Sequence, residues 1–438
     1  MHPYVMRDTL PMQDHDIPLS VALTHIGANT FRTFARLRLD LPARPVVLYG
    51  ANGAGKTNIL EAISLLTPGR GLRQSPLHAM IHSPDFVGWG GTPPDQISPA
   101  LPIAAAVADH GWSLQFMVQH ANMRTEIVTG RPSGDKDRRV VKIDGRKAKS
   151  QGEMGDTVAV LWLTPQMDSL FRESPGQRRR FLDRLVFALE PDHATALATY
   201  DNALQQRTKL LRIWHETNKP PDEHWLDALE DTIAREGIAV TARRATYLAA
   251  LNMIFTDWQQ AFPRAVVDIA GKSGMATTVP HGIPPGAPED WLRHMPAVEA
   301  EEHFRALLRE KRTAHTKAGG RCNFGPHVAD LRVFLYRGSL PSRPAAECST
   351  GQQKALLIAL VLAHTQLSAA HRSAPPLLLL DDVAAFLDQD RRDHLFAALL
   401  ATGSQFWLTG TDKQFFTPLQ NMATCLRVED GNIFPSSL

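Results

Sequence analysis

The stretch VVLYGANGAGKTNIL, residues 46–60, decides how the rest of the chain must be read. A β-branched apolar run ends at a glycine, and a helical pattern begins at the lysine. Between them lies G-x-x-x-x-G-K-[ST], carried by Gly50, Gly55, Lys56 and Thr57. Glycines at these positions let backbone N–H groups curl round phosphate oxygens, and a helix N-terminus adds favourable positive potential. Lys56 is placed to reach β- and γ-phosphates, and Thr57 to ligate Mg²⁺. Gly50, Ala51, Asn52, Gly53, Ala54, Gly55, Lys56, Thr57 and Asn58 are therefore the candidate nucleotide contacts, with ATP and Mg²⁺ the expected cofactors. A chance glycine turn would not need both the flanking strand and the helix, which runs on to Pro68-Gly69.

A second stretch, LLLLDDVAAFLD from Leu377 to Asp388, asks for a cationic partner. Its strand pattern ends in two carboxylates, and unpaired carboxylates are costly to bury. In P-loop enzymes an aspartate at the end of a second apolar strand also holds the metal. Asp381 fits that role, and Asp382 is then placed to orient or deprotonate an attacking water. A third stretch, CSTGQQKALL from Cys348, puts Ser349, Thr350 and Gly351 before a strongly helical run and reads as a helix N-cap.

Composition narrows the class. The chain has 438 residues and a formal net charge of only +2. Any nucleic-acid contact must then come from local patches. Cys322, Cys348 and Cys425 are scattered without a CxxC pair, which argues against a zinc site or a disulfide framework and fits a reducing cytosol. The opening MHPYVMRDTLPMQDHDIP lacks an apolar core, so no signal peptide is expected. No apolar run has membrane-spanning length. Neither H-E-x-x-H nor G-x-S-x-G occurs, and the histidines are unclustered.

Along the chain, residues before Pro18 read as a loose tail and 19–50 as two or three strands. The Pro/Gly-rich segment 82–102 reads as an irregular insertion. Residues 103–130 read as strands of an antiparallel layer, followed by a hairpin around Asp144-Gly145, a dipeptide suited to a type I′ turn. Helical patterns cover Gly176–Thr217, His224–Phe262 and the run from Ala297. Residues 271–290 read as a linker. The last third alternates strand and helix as far as QFWLTG. Sustained heptads are lacking, so no long coiled-coil arm is expected.

Basic residues gather in three places. The hairpin segment holds Arg131, Lys136, Arg138, Arg139, Lys142, Arg146, Lys147 and Lys149, against Asp135, Asp137 and Asp144. Arg178, Arg179 and Arg180 form a second group, and Arg305, Arg309, Lys311, Arg312, Lys317 and Arg321 a third. Each alone reads as a solvated face; together they favour contact with a phosphate backbone, with Arg138, Arg139, Lys142, Arg146 and Lys147 the candidates. No aromatic series accompanies them, so base-specific binding is not expected.

Several ordered segments together resemble the RecF family, bacterial recombination-repair ATPases of the ABC/SMC-like class. They are GANGAGKTNILEAISLLTPGRGLR with Arg73, LTPQMDSLFRESPGQRRRFLD with Gln166, Pro175 and Asp183, YDNALQQRTKLL, GPHVAD with His327, CSTGQQKALLIALVLA, and LLLLDDVAAFLDQDRR. The sequence departs from the family pattern at Thr208, at Thr350, at Phe386 before Leu387-Asp388, and after the last strand, where no switch histidine stands and Thr411 is the only candidate.

The resemblance implies an α/β, ABC-type ATPase head with an antiparallel β layer and a mainly helical lobe. Residues 1–185 and 319–438 would form the head, and 186–318 the lobe. It implies that Gln166 serves the metal and the catalytic water, and that Ser349, Gly351, Gln352 and Asp388 meet a nucleotide held by a second copy. It implies a weak, DNA-stimulated ATPase, an ATP-dependent homodimer that clamps duplex DNA near single-strand gaps, a cytoplasmic, nucleoid-associated location, and partners RecO and RecR in loading RecA. An ABC-transporter ATPase, an SMC-type organiser and a nuclease-linked repair ATPase are the alternatives. The large separation of P-loop from signature, the short lobe and the lack of a nuclease carboxylate cluster weigh against them.

Overall fold

The computed structural model describes residues 19–82, 111–134, 138–271, 287–372 and 374–437, with Phe386 described by its backbone alone. The N-terminal tail, most of the Pro/Gly-rich insertion, Asp135, Lys136, Asp137 and most of the 271–290 linker lie outside the described residues.

In chain order the strands are β1 (Val21–Phe31), β2 (Phe34–Asp40), β3 (Val46–Tyr49), β4 (Trp112–His120), β5 (Met123–Arg131), β6 (Val140–Ile143), β7 (Arg146–Lys147), β8 (Val160–Leu163), β9 (Ala265–Ala270), β10 (Asp330–Arg337), β11 (Leu340–Pro344), β12 (Leu377–Leu380), β13 (Phe406–Gly410), β14 (Thr424–Glu429) and β15 (Asn432–Ser436). The helices are α1 (Lys56–Ser64), α2 (Met154–Thr157), α3 (Pro175–Leu189), α4 (Asp192–Thr217), α5 (Glu223–Thr256), α6 (Pro288–Trp291), α7 (Ala297–Glu310), α8 (Arg312–Lys317), α9 (Thr350–Arg372) and α10 (Gln389–Ala401). The chain divides into two compact units, one of residues up to 167 with those from 368 onward, the other of residues 168–367.

The first unit holds two six-stranded sheets. One is antiparallel, in the order β2-β1-β4-β5-β6-β7. The other runs β15-β14-β3-β13-β12-β8, parallel throughout except for its β15 edge. Its central strands β3, β13 and β12 are almost wholly apolar and buried, as strands covered on both faces must be. One apolar cluster joins Leu23 and Phe116 of the antiparallel sheet to Ile59 and Ile63 of α1 and to Leu48, Leu379 and Trp407 of the parallel sheet. The buried Gln405 ties the two sheets together. Its Oε1 accepts from the Leu23 N–H at 2.8 Å, and its Nε2 donates to the Leu23 and Arg44 carbonyls. The Asp144-Gly145 turn has φ of 47° and 77°, the two positive values that a type I′ hairpin needs.

The second unit is mainly helical. Helices α4 and α5 form an antiparallel hairpin, closed by Asn218 in the left-handed region and by Asp222, whose carboxylate accepts from the His224 N–H at 2.8 Å. Tyr200, Ile233, Trp291 and Phe304 centre its core. The small sheet β11-β10-β9 belongs to the same unit.

The structure differs from the sequence reading in four elements. Helix α5 stops at Thr256, before Phe262. Strand β9 lies where no strand was expected; its open edge is closed by Asn252, whose amide donates to the Val267 carbonyl at 2.8 Å and accepts from its N–H at 3.0 Å. Strands β14 and β15 follow β13 and extend the parallel sheet past β3.

Candidate nucleotide site

The site lies at the carboxyl ends of the parallel strands, the usual place for a ligand on an open α/β sheet. Strand β3 delivers the Gly50–Thr57 loop. A Cβ on Gly50 would sit 2.1 Å from the Val428 carbonyl oxygen, so no larger residue fits there. Gly55 has φ 112°, and its Cβ would press on Thr33 and Phe34. Helix α1 then starts at Lys56 with no side-chain cap on its first turn, which leaves the positive end of its dipole to the loop. The Lys56 ammonium folds back and donates to the Gly50 and Ala51 carbonyls at 2.7 and 2.9 Å. Burial lowers its pKa, while the negative charges of Asp382 and Asp381 oppose that shift.

Strand β12 delivers the acids. Asp381 is only 5% exposed. The Thr57 hydroxyl donates to its two carboxylate oxygens at 3.1 and 3.2 Å. Burial raises the Asp381 pKa, and the hydrogen bonds from Thr409 and Thr57 only partly counter this. Asp382 follows in the left-handed region, with φ 51°. Its Oδ1 is buried and meets no hydrogen-bond donor among the described residues. A hydroxyl, a carboxylate and an orphaned carboxylate oxygen form an all-oxygen set suited to a hard cation and an ordered water, so Thr57 and Asp381 fit Mg²⁺. Gln166 stands exposed on the turn after β8, the strand paired with β12.

Other expected residues have different surroundings. The Asn58 side chain is held inside the protein. Its amide donates to Thr33 Oγ1 at 3.0 Å and accepts from Arg73 at 2.8 Å, so it is a brace of α1 and not a nucleotide contact. Beside it the fully buried Glu61 receives both Arg32 and Arg73. Asp388 is the exposed N-cap of α10, accepting from the Arg391 N–H at 2.8 Å. Thr411 is exposed. The signature segment opens α9 with the expected cap. Ser349 Oγ accepts from the Gln352 N–H at 3.3 Å and Gln352 Oε1 from the Ser349 N–H at 3.1 Å, a reciprocal capping box at an exposed helix start. Gly351 lies inside its first turn.

The basic groups need correction. Arg139 is buried, and its guanidinium donates to the Leu65 and Thr67 carbonyls that follow α1 and to Gln151. It therefore cannot meet DNA phosphate. Arg138, Arg146 and Lys147 are exposed and Lys142 half-buried, so a basic hairpin remains. In the other two groups Arg180, Lys317 and Arg321 are exposed, and most of the remaining members are engaged by acids or carbonyls. Arg178 grips Asp330 with two bonds at 2.7 and 2.8 Å, and Arg179 donates to the Ala329 carbonyl. Arg305, Arg309 and Arg312 pair with Asp231, Asp227 and Glu230.

The GPHVAD and PGQRRRFLD segments meet in a buried network within the second unit. Arg244 clasps Asp183 with two bonds of 2.8 Å and donates to the Pro326 carbonyl, and His193 adds a third bond to Asp183. Burial opposes ionisation of Asp183, but the Arg244 charge and these bonds outweigh it and hold the pKa at about 2. His327 has both ring nitrogens engaged. Nε2 donates to the Cys322 carbonyl at 3.0 Å, which leaves Nδ1 to accept from the Tyr200 hydroxyl at 2.6 Å. It is a packing histidine.

A P-loop on one inner strand, an aspartate pair on another, an antiparallel layer and a helical unit define the head fold of ABC-type ATPases. Residues 22–433 match the family described as RecF/RecN/SMC N terminal domain. The DNA replication and repair protein RecF of Mesorhizobium japonicum is 37% identical over 95% of this chain and 99% of its own length. That of Caulobacter vibrioides is 39% identical over 94% of this chain and 98% of its own. A solved structure of the recombination mediator protein RecF of the RecFOR pathway, described with ATPrS, shares the fold with TM-score 0.74 at 21% identity, over 96% of this chain and 99% of that one. A second, described with ATP, gives TM-score 0.71 at 21% identity, over 95% of this chain and all of that one. The chain belongs to the RecF family.

Proposed function

We propose that this protein is a RecF-type DNA repair ATPase in which ATP closes a dimer on duplex DNA. The reading rests on one observation: Lys56, Thr57, Asp381 and Asp382 come to one end of the parallel sheet, and a buried carboxylate oxygen there has no partner among the described residues. The Gly50–Thr57 loop cradles the phosphates, and Lys56 exchanges its loop carbonyls for phosphate oxygens. Thr57 and Asp381 hold Mg²⁺, with Gln166 beside it; bound there, Mg²⁺ supplies positive charge against the phosphates. Asp382 positions and deprotonates the attacking water.

A second copy packs head to tail. Its exposed Ser349, Gly351 and Gln352 turn the positive end of α9 on the γ-phosphate, and its Asp388 lies near the junction. Two such sandwiches shift the monomer–dimer equilibrium toward a clamp. Arg138, Lys142, Arg146 and Lys147 touch the phosphate backbone, slow hydrolysis reopens the clamp, and DNA near a single-strand gap accelerates it. RecO and RecR enter as partners because the solved relatives are described as part of the RecFOR pathway, and RecA loading enters as what the family resemblance implies. The test is anisotropy of a labelled gapped duplex at physiological salt, with ATP, with ADP and with neither. Tight binding in ATP alone supports the clamp; binding indifferent to nucleotide contradicts it.

A further inference from the structure

We infer that Thr409 is the positioning residue that sets both acids of the nucleotide site; this rests on the nucleotide reading above. Strand β13 lies between β3 and β12, so its last side chains stand between the phosphate loop and the aspartate pair. Phe406, Trp407, Leu408, Thr409 and Gly410 are all buried. A hydroxyl in such a strand is costly unless both its proton and its lone pairs are used. The two partners of Thr409 are the two acids. Its oxygen accepts from the Asp382 N–H at 2.8 Å, and it lies 2.8 Å from Asp381 Oδ1.

The direction of both bonds follows from valence. The Asp382 amide can only donate, so the single hydroxyl proton of Thr409 goes to the Asp381 carboxylate. Asp381 Oδ1 is thereby closed from the strand side. Among the described residues Asp381 Oδ2 keeps only the 3.2 Å contact with Thr57, and it is the oxygen left for a cation. The bond to the Asp382 amide acts on the neighbour. Asp382 is a non-glycine residue in the left-handed region, a backbone state that persists only where its surroundings hold it. Thr409 supplies that hold and so fixes where the Asp382 carboxylate points. Thr411, two residues on, is exposed and has no such contact among the described residues.

The test uses the full chain with three substitutions. Mn²⁺ binding in the presence of ADP is followed by electron paramagnetic resonance, and the Mg²⁺ dependence of ATP hydrolysis by phosphate release. Thr409→Val keeps the shape and loses the hydroxyl. It is expected to weaken Mn²⁺ binding by roughly 10–100-fold and to raise the Mg²⁺ concentration for half-maximal rate similarly, as loss of a group orienting a metal ligand does. ADP affinity without divalent cation should be unchanged. Thr409→Ser restores both bonds and should return within about threefold of the parent. If the valine variant does not fold, Thr409→Ala lacks the same hydroxyl and must show the same defect. Parent-like Mn²⁺ binding and Mg²⁺ dependence in the valine or alanine variant overturn the inference, as does a serine variant as defective as the valine one. A parent that binds Mn²⁺ with ADP no better than Lys56→Ala refutes the nucleotide reading itself, and this inference with it.

Discussion

Asp381 in the first unit is buried and Asp183 in the second is nearly so, and their ionisation is pushed in opposite directions. Asp183 meets a guanidinium and an imidazole, and its pKa falls to about 2. Asp381 meets two hydroxyls, and burial raises its pKa. The same contrast holds around them. In the second unit Glu230 is met by Arg207 and Arg312. In the first, Asp382 keeps an unmet oxygen and Lys56 has only loop carbonyls among the described residues. Charge that is closed internally is scaffold; charge held by hydroxyls and left partly open is a place for a ligand's own charge.

Substitutions can break this comparison, starting with the largest effect. Asp382→Asn should cut the rate of ATP hydrolysis by about 10²–10⁴-fold and leave ATP binding intact, because it removes the base and not the phosphate cradle. Rapid-quench turnover beside nucleotide anisotropy separates the two. Asp183→Asn should act on stability alone, by about 3–5 kcal/mol, since it leaves the Arg244 charge buried without its counter-ion. Hydrogen exchange in α3 and α5 reads this locally.

The sign of the pH dependence follows from Asp183. Its folded pKa lies below the ordinary carboxylate value, so the pair stabilises the folded state above about pH 4, and that contribution is lost as pH falls toward 2. In the parent, protection of α3 and α5 should fall over that window; in Asp183→Asn this dependence should be absent.

Smaller effects sharpen the contrast between buried and exposed basic residues. Arg139→Ala should cost about 2–4 kcal/mol, because the Leu65 and Thr67 carbonyls lose their buried donor. Replacing Arg138, Lys142, Arg146 and Lys147 by alanine should leave stability nearly unchanged. It should reduce the salt slope of DNA binding by about one for each phosphate that is no longer neutralised. Equal slopes in parent and variant would remove the hairpin from the DNA interface. The smallest effect on stability is that of Asp381→Asn, which should raise the melting temperature of the nucleotide-free protein by roughly 1–3 °C, since it relieves the burial of a carboxylate.

Much of the site was legible because its signals are local. The phosphate loop, the apolar strand with its acidic end, the Asp144-Gly145 turn and the Ser349 cap each depend on a few adjacent residues. What was missed depends on partners far along the chain. Strand β9 is six residues long and gains its partner β10 only across α6–α8. Strands β14 and β15 complete a sheet begun at β3. Arg139 sits in a run of charged residues and turns inward because the Leu65 and Thr67 carbonyls that follow α1 are there to receive it. Thr409 was not singled out because only the strand order reveals that it faces the acids.

The most direct test of the open-charge account is nucleotide binding by the parent and by Asp381→Asn, measured by calorimetry with ATPγS, with and without Mg²⁺. The account predicts that Mg²⁺ tightens binding in the parent, by about tenfold or more, and does nothing in Asp381→Asn. Binding in the parent that is unchanged by Mg²⁺, or a variant that responds to Mg²⁺ as the parent does, would contradict it.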